Sequence, residues 1–218
     1  MTEFWESSFR DKQEMWGFEP ADSAIAIVDL FRKNGLTKIL IPGFGYGRNA
    51  QLFNDNGFDV TGIEISKTAI DLAKKHYGDH LKVYHGSVSA MPFDQEIYDG
   101  IFCYALIHLL NQRERIKLIN DSFNQLQPNG YMVFVAISKR DSQYGEGNEI
   151  SKDTFETKHG VTLYFCDSDS IAKEFGKFGL IEYKEIDEPA MNVENKPSRK
   201  FWQIICKNNL IMPLSTQL

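Results

Sequence analysis

Apolar and polar positions along this chain keep two rhythms, and the change from one to the other marks out its elements. Ala24, Ile27, Val28 and Phe31 fall three and four residues apart, the spacing that lines one face of a helix. Pro20 stands ahead of that run and Gly35 behind it, where helices open and close. Ile39-Leu40-Ile41 is a short continuous apolar run and reads as a buried strand, and residues 58–63 form a second one ending on Glu64. Between them lie Gly43, Gly45 and Gly47, then a helical stretch closed by Gly57. Ser66 caps a helix through Ile70, Ala73 and Tyr77 that stops near Gly78. Strands follow at 81–84, 98–105 and 131–137, with Asn111 capping a helix in which Ile116, Ile119, Phe123 and Leu126 keep helical spacing.

The two ends of the chain are less regular. Residues 3–16 mix Phe4, Trp5, Phe9, Met15 and Trp16 with charges, as a short amphipathic helix laid across the domain would. From 138 to 167 the pattern dissolves into polar, glycine-bearing sequence, long enough to be a lid or binding loop. A helix at 168–178 ends on Gly179, and strands at 180–186 and 201–207 are joined by a link holding Pro189 and Pro197, which suits a wide hairpin. The tail 208–218 has no clear pattern. Strands alternating with helices predict an α/β fold with a mostly parallel, doubly wound sheet and a closing antiparallel pair.

Composition narrows the function. The chain has 218 residues, enough for one sizeable core. Lys and Arg number 24 against 30 Asp and Glu, a net charge of −6, which argues against a nucleic-acid backbone as partner. No apolar run approaches a membrane span, and the charged N-terminus lacks the apolar core of a secretory signal. Cys103, Cys166 and Cys206 have no metal-ligand spacing and read as buried free thiols of a reducing, cytoplasmic protein. The expectation is one domain over 1–218: a helical cover at 1–35, a nucleoside-binding core at 36–137, a lid or substrate loop at 138–167, a closing helix and strand pair at 168–207, and a tail. Monomer and homodimer both remain open.

The chemistry concentrates in residues 38–66. Strand, glycine loop, helix, strand and acid form the unit that binds a nucleoside in open α/β sheets, with the Glu64 carboxylate placed for a ribose diol. A dinucleotide loop wants Gly-x-Gly-x-x-Gly, but here Arg48 stands at the third position and the glycine comes one residue early. That spacing resembles the first motif of the class I S-adenosylmethionine (SAM)-dependent methyltransferases. Gly47-Arg48-Asn49 is similar to their tellurite-resistance branch, and Ile41-Pro42-Gly43 with Gly57 to Ser66 to their thiopurine and thiol branch.

The resemblance implies a seven-stranded Rossmann-like sheet, SAM as cofactor, and cofactor contacts from Gly43, Gly45, Gly47, Glu64, Ile65, Ser87, Val88 and Tyr104. Ile41 replaces an acid common in the family, Phe44 a frequent Cys, Ser87 the usual Asp beside the adenine, and Asn129 one glycine of the turn before the fifth strand. The implied activity is in-line methyl transfer to a small-molecule acceptor such as a thiol, selenol or metalloid species. His108, after the fourth strand, is the candidate base, and Trp16 and Tyr144 are candidate lid or substrate residues. No metal constellation is expected. The alternatives are a non-catalytic SAM-binding sensor or partner subunit and, against the glycine spacing, a nicotinamide oxidoreductase.

Overall fold

A computed structural model describes residues 2–190 and 197–209. In chain order the elements are α1 (Thr2–Lys12), α2 (Asp22–Lys33), β1 (Lys38–Pro42), α3 (Arg48–Asp55), β2 (Asp59–Glu64), α4 (Lys67–Tyr77), β3 (Lys82–His85), β4 (Tyr98–Tyr104), α5 (Gln112–Asn124), β5 (Leu126–Ile137), β6 (Asn148–Ser151), β7 (Thr154–Glu156), β8 (Thr162–Tyr164), α6 (Ser168–Phe175), β9 (Leu180–Glu188) and β10 (Arg199–Lys207). Seven strands form one sheet in the order β3-β2-β1-β4-β5-β10-β9. β1 to β5 run parallel, and β10 runs antiparallel between β5 and β9. This is the doubly wound, Rossmann-like sheet that the pattern predicts.

Each central strand serves two cores because its side chains alternate between faces. Ile39, Ile41, Phe102, Val133 and Val135 pack with α2 and α3 on one side. Leu40, Ile101, Cys103, Met132 and Phe134 pack with α5 and α6 on the other. Local signals delimit the helices: Ser66 Oγ accepts from the Ala69 N–H, and Asn111 and Glu114 form a reciprocal capping box. Asn129 turns into the last stretch of β5 with a φ of 65°, the left-handed conformation that asparagine tolerates.

Two elements depart from expectation. Residues 138–167 are not a patternless loop, since β6, β7 and β8 form a three-stranded antiparallel sheet whose Phe155 and Leu163 join the α2-side core. The strands span only three or four residues and all of β6 is exposed, so the alternation is too short to stand out. On α5 the buried face holds Arg115, Leu118 and Ile119, while Ile116 is exposed and Leu126 already lies in β5. A buried arginine hides that face from a hydrophobic reading. Arg115 lies there because its guanidinium pairs with Glu174 at 2.9 Å and stacks 3.5 Å from the Tyr164 ring centre. Residues 210–218 of the tail lie outside the described residues.

Candidate active site

β1 neighbours both β2 and β4, so the winding direction reverses there and a crevice opens beyond the carboxyl ends of the strands. The glycine loop occupies that point. Gly43, Gly45 and Gly47 have φ values of 75°, 59° and 87°. A Cβ on Gly43 would press Leu106 at 3.0 Å and one on Gly47 the Phe44 ring at 3.1 Å, but one on Gly45 would meet nothing within 4 Å. All three have positive φ, but Gly43 and Gly47 are also tightly packed, whereas at Gly45 the bare backbone faces open space. The ring of Phe44 packs where a Cβ on Gly62 would sit, at 2.2 Å, so a bulky residue at 44 is matched by a glycine on β2.

Glu64 ends β2 and is 6% exposed. Its two oxygens accept from the Gly45 N–H at 2.7 Å and the Ser66 N–H at 2.9 Å. Burial raises its pKa, and those backbone donors oppose the rise. Each oxygen keeps acceptor capacity, and the carboxylate adjoins the open loop, so the residues present fit a ligand carrying a ribose diol.

Residues 3–21 close over this loop. Phe9, Tyr46, Ala69 and Leu72 form a small core with Trp5 and Met15 against it. The Tyr46 hydroxyl donates to Gly17 O at 2.6 Å and accepts from the Trp16 N–H at 3.1 Å. Arg48 donates to Glu19 O at 2.6 Å, and Asn49 Oδ1 accepts from the Ala21 N–H at 2.9 Å. Three residues in and just past the loop thus staple the chain at 16–21. Trp16 stacks on the Tyr46 ring at 12° and 6.2 Å. The aromatic density of residues 3–16 pointed to Trp16 as a lid or substrate residue but gave no sign of Tyr46 and Arg48 as anchors of this segment.

The other predicted residues have mixed placements. Ile65 O accepts from His85 Nε2 at 3.2 Å, and Ser87 Oγ accepts from the Ser89 N–H at 3.2 Å, capping a short turn in which Val88 is buried. Tyr104, at the end of β4, stacks on Phe102 and Phe201, with the Arg48 guanidinium 5.6 Å from its ring centre. Tyr144 is turned into its own small sheet, edge-on to Phe155 and Phe165 with its hydroxyl on Asp153 at 2.8 Å. The assignment of His108 as a base needs correction. Its ring is buried, Nδ1 accepts from the Ile137 N–H at 3.3 Å, and burial pushes its pKa down to about 3. A histidine so enclosed and so weakly basic positions backbone rather than taking a proton.

A cavity of about 180 Å³ lies where α1, the turn after β4 and the β7–β8 turn meet, lined by Phe4, Trp5, Leu109, Gly160, Val161 and Thr162. None of the described residues lining it is ionisable. The cavity beside His108 and Arg115 holds about 10 Å³, too little for more than about one water. All three cysteines are buried free thiols, and burial raises the pKa of each. Among the described residues no group of three or more His, Cys, Asp or Glu could hold a metal, and no helix is long and apolar enough to cross a membrane.

Sheet order, glycine loop and terminal acid define a nucleoside-binding, doubly wound α/β protein. Residues 40–134 match the family model described as a methyltransferase domain. Thiocyanate methyltransferase 1 of Brassica oleracea is 24% identical over 161 residues, covering 70% of this chain and 69% of that protein. Sarcosine/dimethylglycine N-methyltransferase of Aphanothece halophytica is 25% identical over 191 residues, covering 83% of this chain and 65% of that one. In fold the chain is similar to the Burkholderia thailandensis 1,6-didemethyltoxoflavin-N1-methyltransferase, solved with its substrate and S-adenosylhomocysteine (TM-score 0.71, 15% identity, 95% of this chain and 86% of that one). Residues 40–134 thus carry a methyltransferase domain, and the matches support a SAM-dependent methyltransferase with SAM as cofactor.

Proposed function

We propose that the acceptor is a small molecule with an apolar body and a soft nucleophile, a thiol before a selenol or metalloid species, and that it occupies the 180 Å³ cavity. The cofactor would lie on Gly43, Gly45 and Gly47, with its ribose on Glu64 and its adenine near Ile65, Ser87 and Val88. Bound there, SAM would supply an electrophilic sulfonium methyl, with a neutral thioether as the leaving group. The chain's own work is to orient both reactants and keep water out, which is worth up to roughly 7–11 kcal/mol when the geometry is right. Phe4 and Trp5 from α1 and Val161 from the small sheet supply the apolar walls.

The observation that carries this reading is the character of the cavity wall, in which none of the described lining residues is ionisable. An alcohol needs its proton removed as it attacks, and nothing in the wall can take one. A thiol ionises near neutral pH unaided. The similarity to a protein named for thiocyanate favours a sulfur acceptor; the similarity to a sarcosine and dimethylglycine N-methyltransferase favours a second reading, an amine.

The test is Val161→Phe, which fills the cavity. Benzenethiol KM should rise roughly tenfold or more, the range for steric misfit in an apolar pocket, with SAM affinity unchanged. An unchanged benzenethiol KM would place the acceptor elsewhere. Trp5→Ala, which enlarges the cavity, should shift preference toward larger aryl thiols.

A further inference from the structure

Glu6 lies on α1, far in sequence from the cofactor loop, yet its carboxylate closes over the start of α4. One oxygen accepts from the Ser66 hydroxyl at 2.7 Å and the Thr68 N–H at 3.3 Å, and the other from the Thr68 hydroxyl. Ser66 Oγ is also the N-cap acceptor for the Ala69 N–H at 3.1 Å. A hydroxyl has one proton to give, so donating it to Glu6 turns a lone pair toward Ala69. The amide of that same Ser66 donates to Glu64 Oε1, and Glu64 Oε2 accepts from Gly45. An unbroken line of contacts therefore runs from the N-terminal helix through Ser66 and Glu64 to the open glycine. The hydrogen bonds from Thr68 and then Ser66 hold the Glu6 carboxyl below its usual range, and the positive end of α4 favours an anion there.

We propose that Glu6 is a positioning residue for the cofactor: by fixing Ser66 it fixes the Glu64 carboxylate, and so α1 is part of the ribose grip. This rests on the reading that Glu64 holds the ribose. A helix that only covered the site would need no charged contact to the residue that orients the acid. Aromatic packing of Phe9 and Trp5 around Tyr46 would dock it unaided.

The test measures binding of S-adenosylhomocysteine and of its 2′-deoxyribose analogue to the full chain by calorimetry, with melting followed separately. In the native protein the hydroxyl should strengthen binding about tenfold. Glu6→Ala should weaken S-adenosylhomocysteine roughly fivefold or more and shrink that ratio toward one. Glu6→Gln, which keeps an acceptor for Ser66, should recover most of it. Thr68→Ala, which removes a Glu6 contact without touching Glu64, should leave the ratio intact even if melting falls. Adding Glu6→Ala to Glu64→Gln should weaken binding little further, since the two act through one contact. A folded Glu6→Ala protein with native affinity and ratio would overturn the proposal. An unchanged ratio in Glu64→Gln as well would overturn both it and the ribose assignment.

Discussion

Both oxygens of Glu64 already accept a backbone N–H, from Gly45 and from Ser66, and a carboxylate has about four acceptor sites. The remaining capacity suits two ribose hydroxyls. Glu64→Ala should weaken SAM binding by roughly 1.5–3 kcal/mol, the range for hydrogen bonds to a charged group, and calorimetry giving native affinity would remove the acid from the site. At this scale the sequence was readable where the motif is local. Glu64 and the glycines fall within 22 residues of one another, so spacing alone exposed them. Glu6 and Tyr46 were not readable, because Glu6 meets Ser66 across 60 positions and Tyr46 meets Gly17 across 29. His108 misled for another reason: its place after β4 is right for a base, but burial, which sequence position does not reveal, leaves its ring nitrogen to the Ile137 amide.

Among the elements, α1 and the β7–β8 turn of the small sheet form two walls of the proposed acceptor cavity. The sheet is held to the body by Lys139, which pairs with Asp153 at 2.8 Å and with Asp167. Lys139 holds the Asp167 carboxyl down from 3.8 to about 2. A depressed carboxylate stabilises the folded state above its ordinary pKa, and that contribution disappears as protonation proceeds toward the lower one. Amide protection across 148–164 should therefore weaken between about pH 4 and pH 2. Lys139→Met should show weakened protection already at pH 7, with a flatter acid limb; the same acid limb in both proteins would mean that the pair does not hold the sheet. A lid or substrate loop was expected at 138–167, and three short strands stand there instead. Strands of three or four residues with one face in water leave too short an alternation to recognise.

For the whole molecule, periodicity was sufficient for the parallel strands, because β1, β4 and β5 are buried on both faces and read as continuous apolar runs. It did not reveal that β10 inserts between β5 and β9, since pairing partners leave no periodic trace in a single strand. The central claim is methyl transfer to a small soft acceptor in a cavity without a base. Its most direct test is turnover of methyl-labelled SAM by the full chain with thiols, phenols, amines, RNA and protein offered side by side over a range of pH. The account predicts label in the thiols, at a rate that rises with each thiol's own ionisation, and none in RNA or protein. Label confined to amines or phenols, to RNA or to protein, or a thiol rate governed by a group on the enzyme, would contradict it.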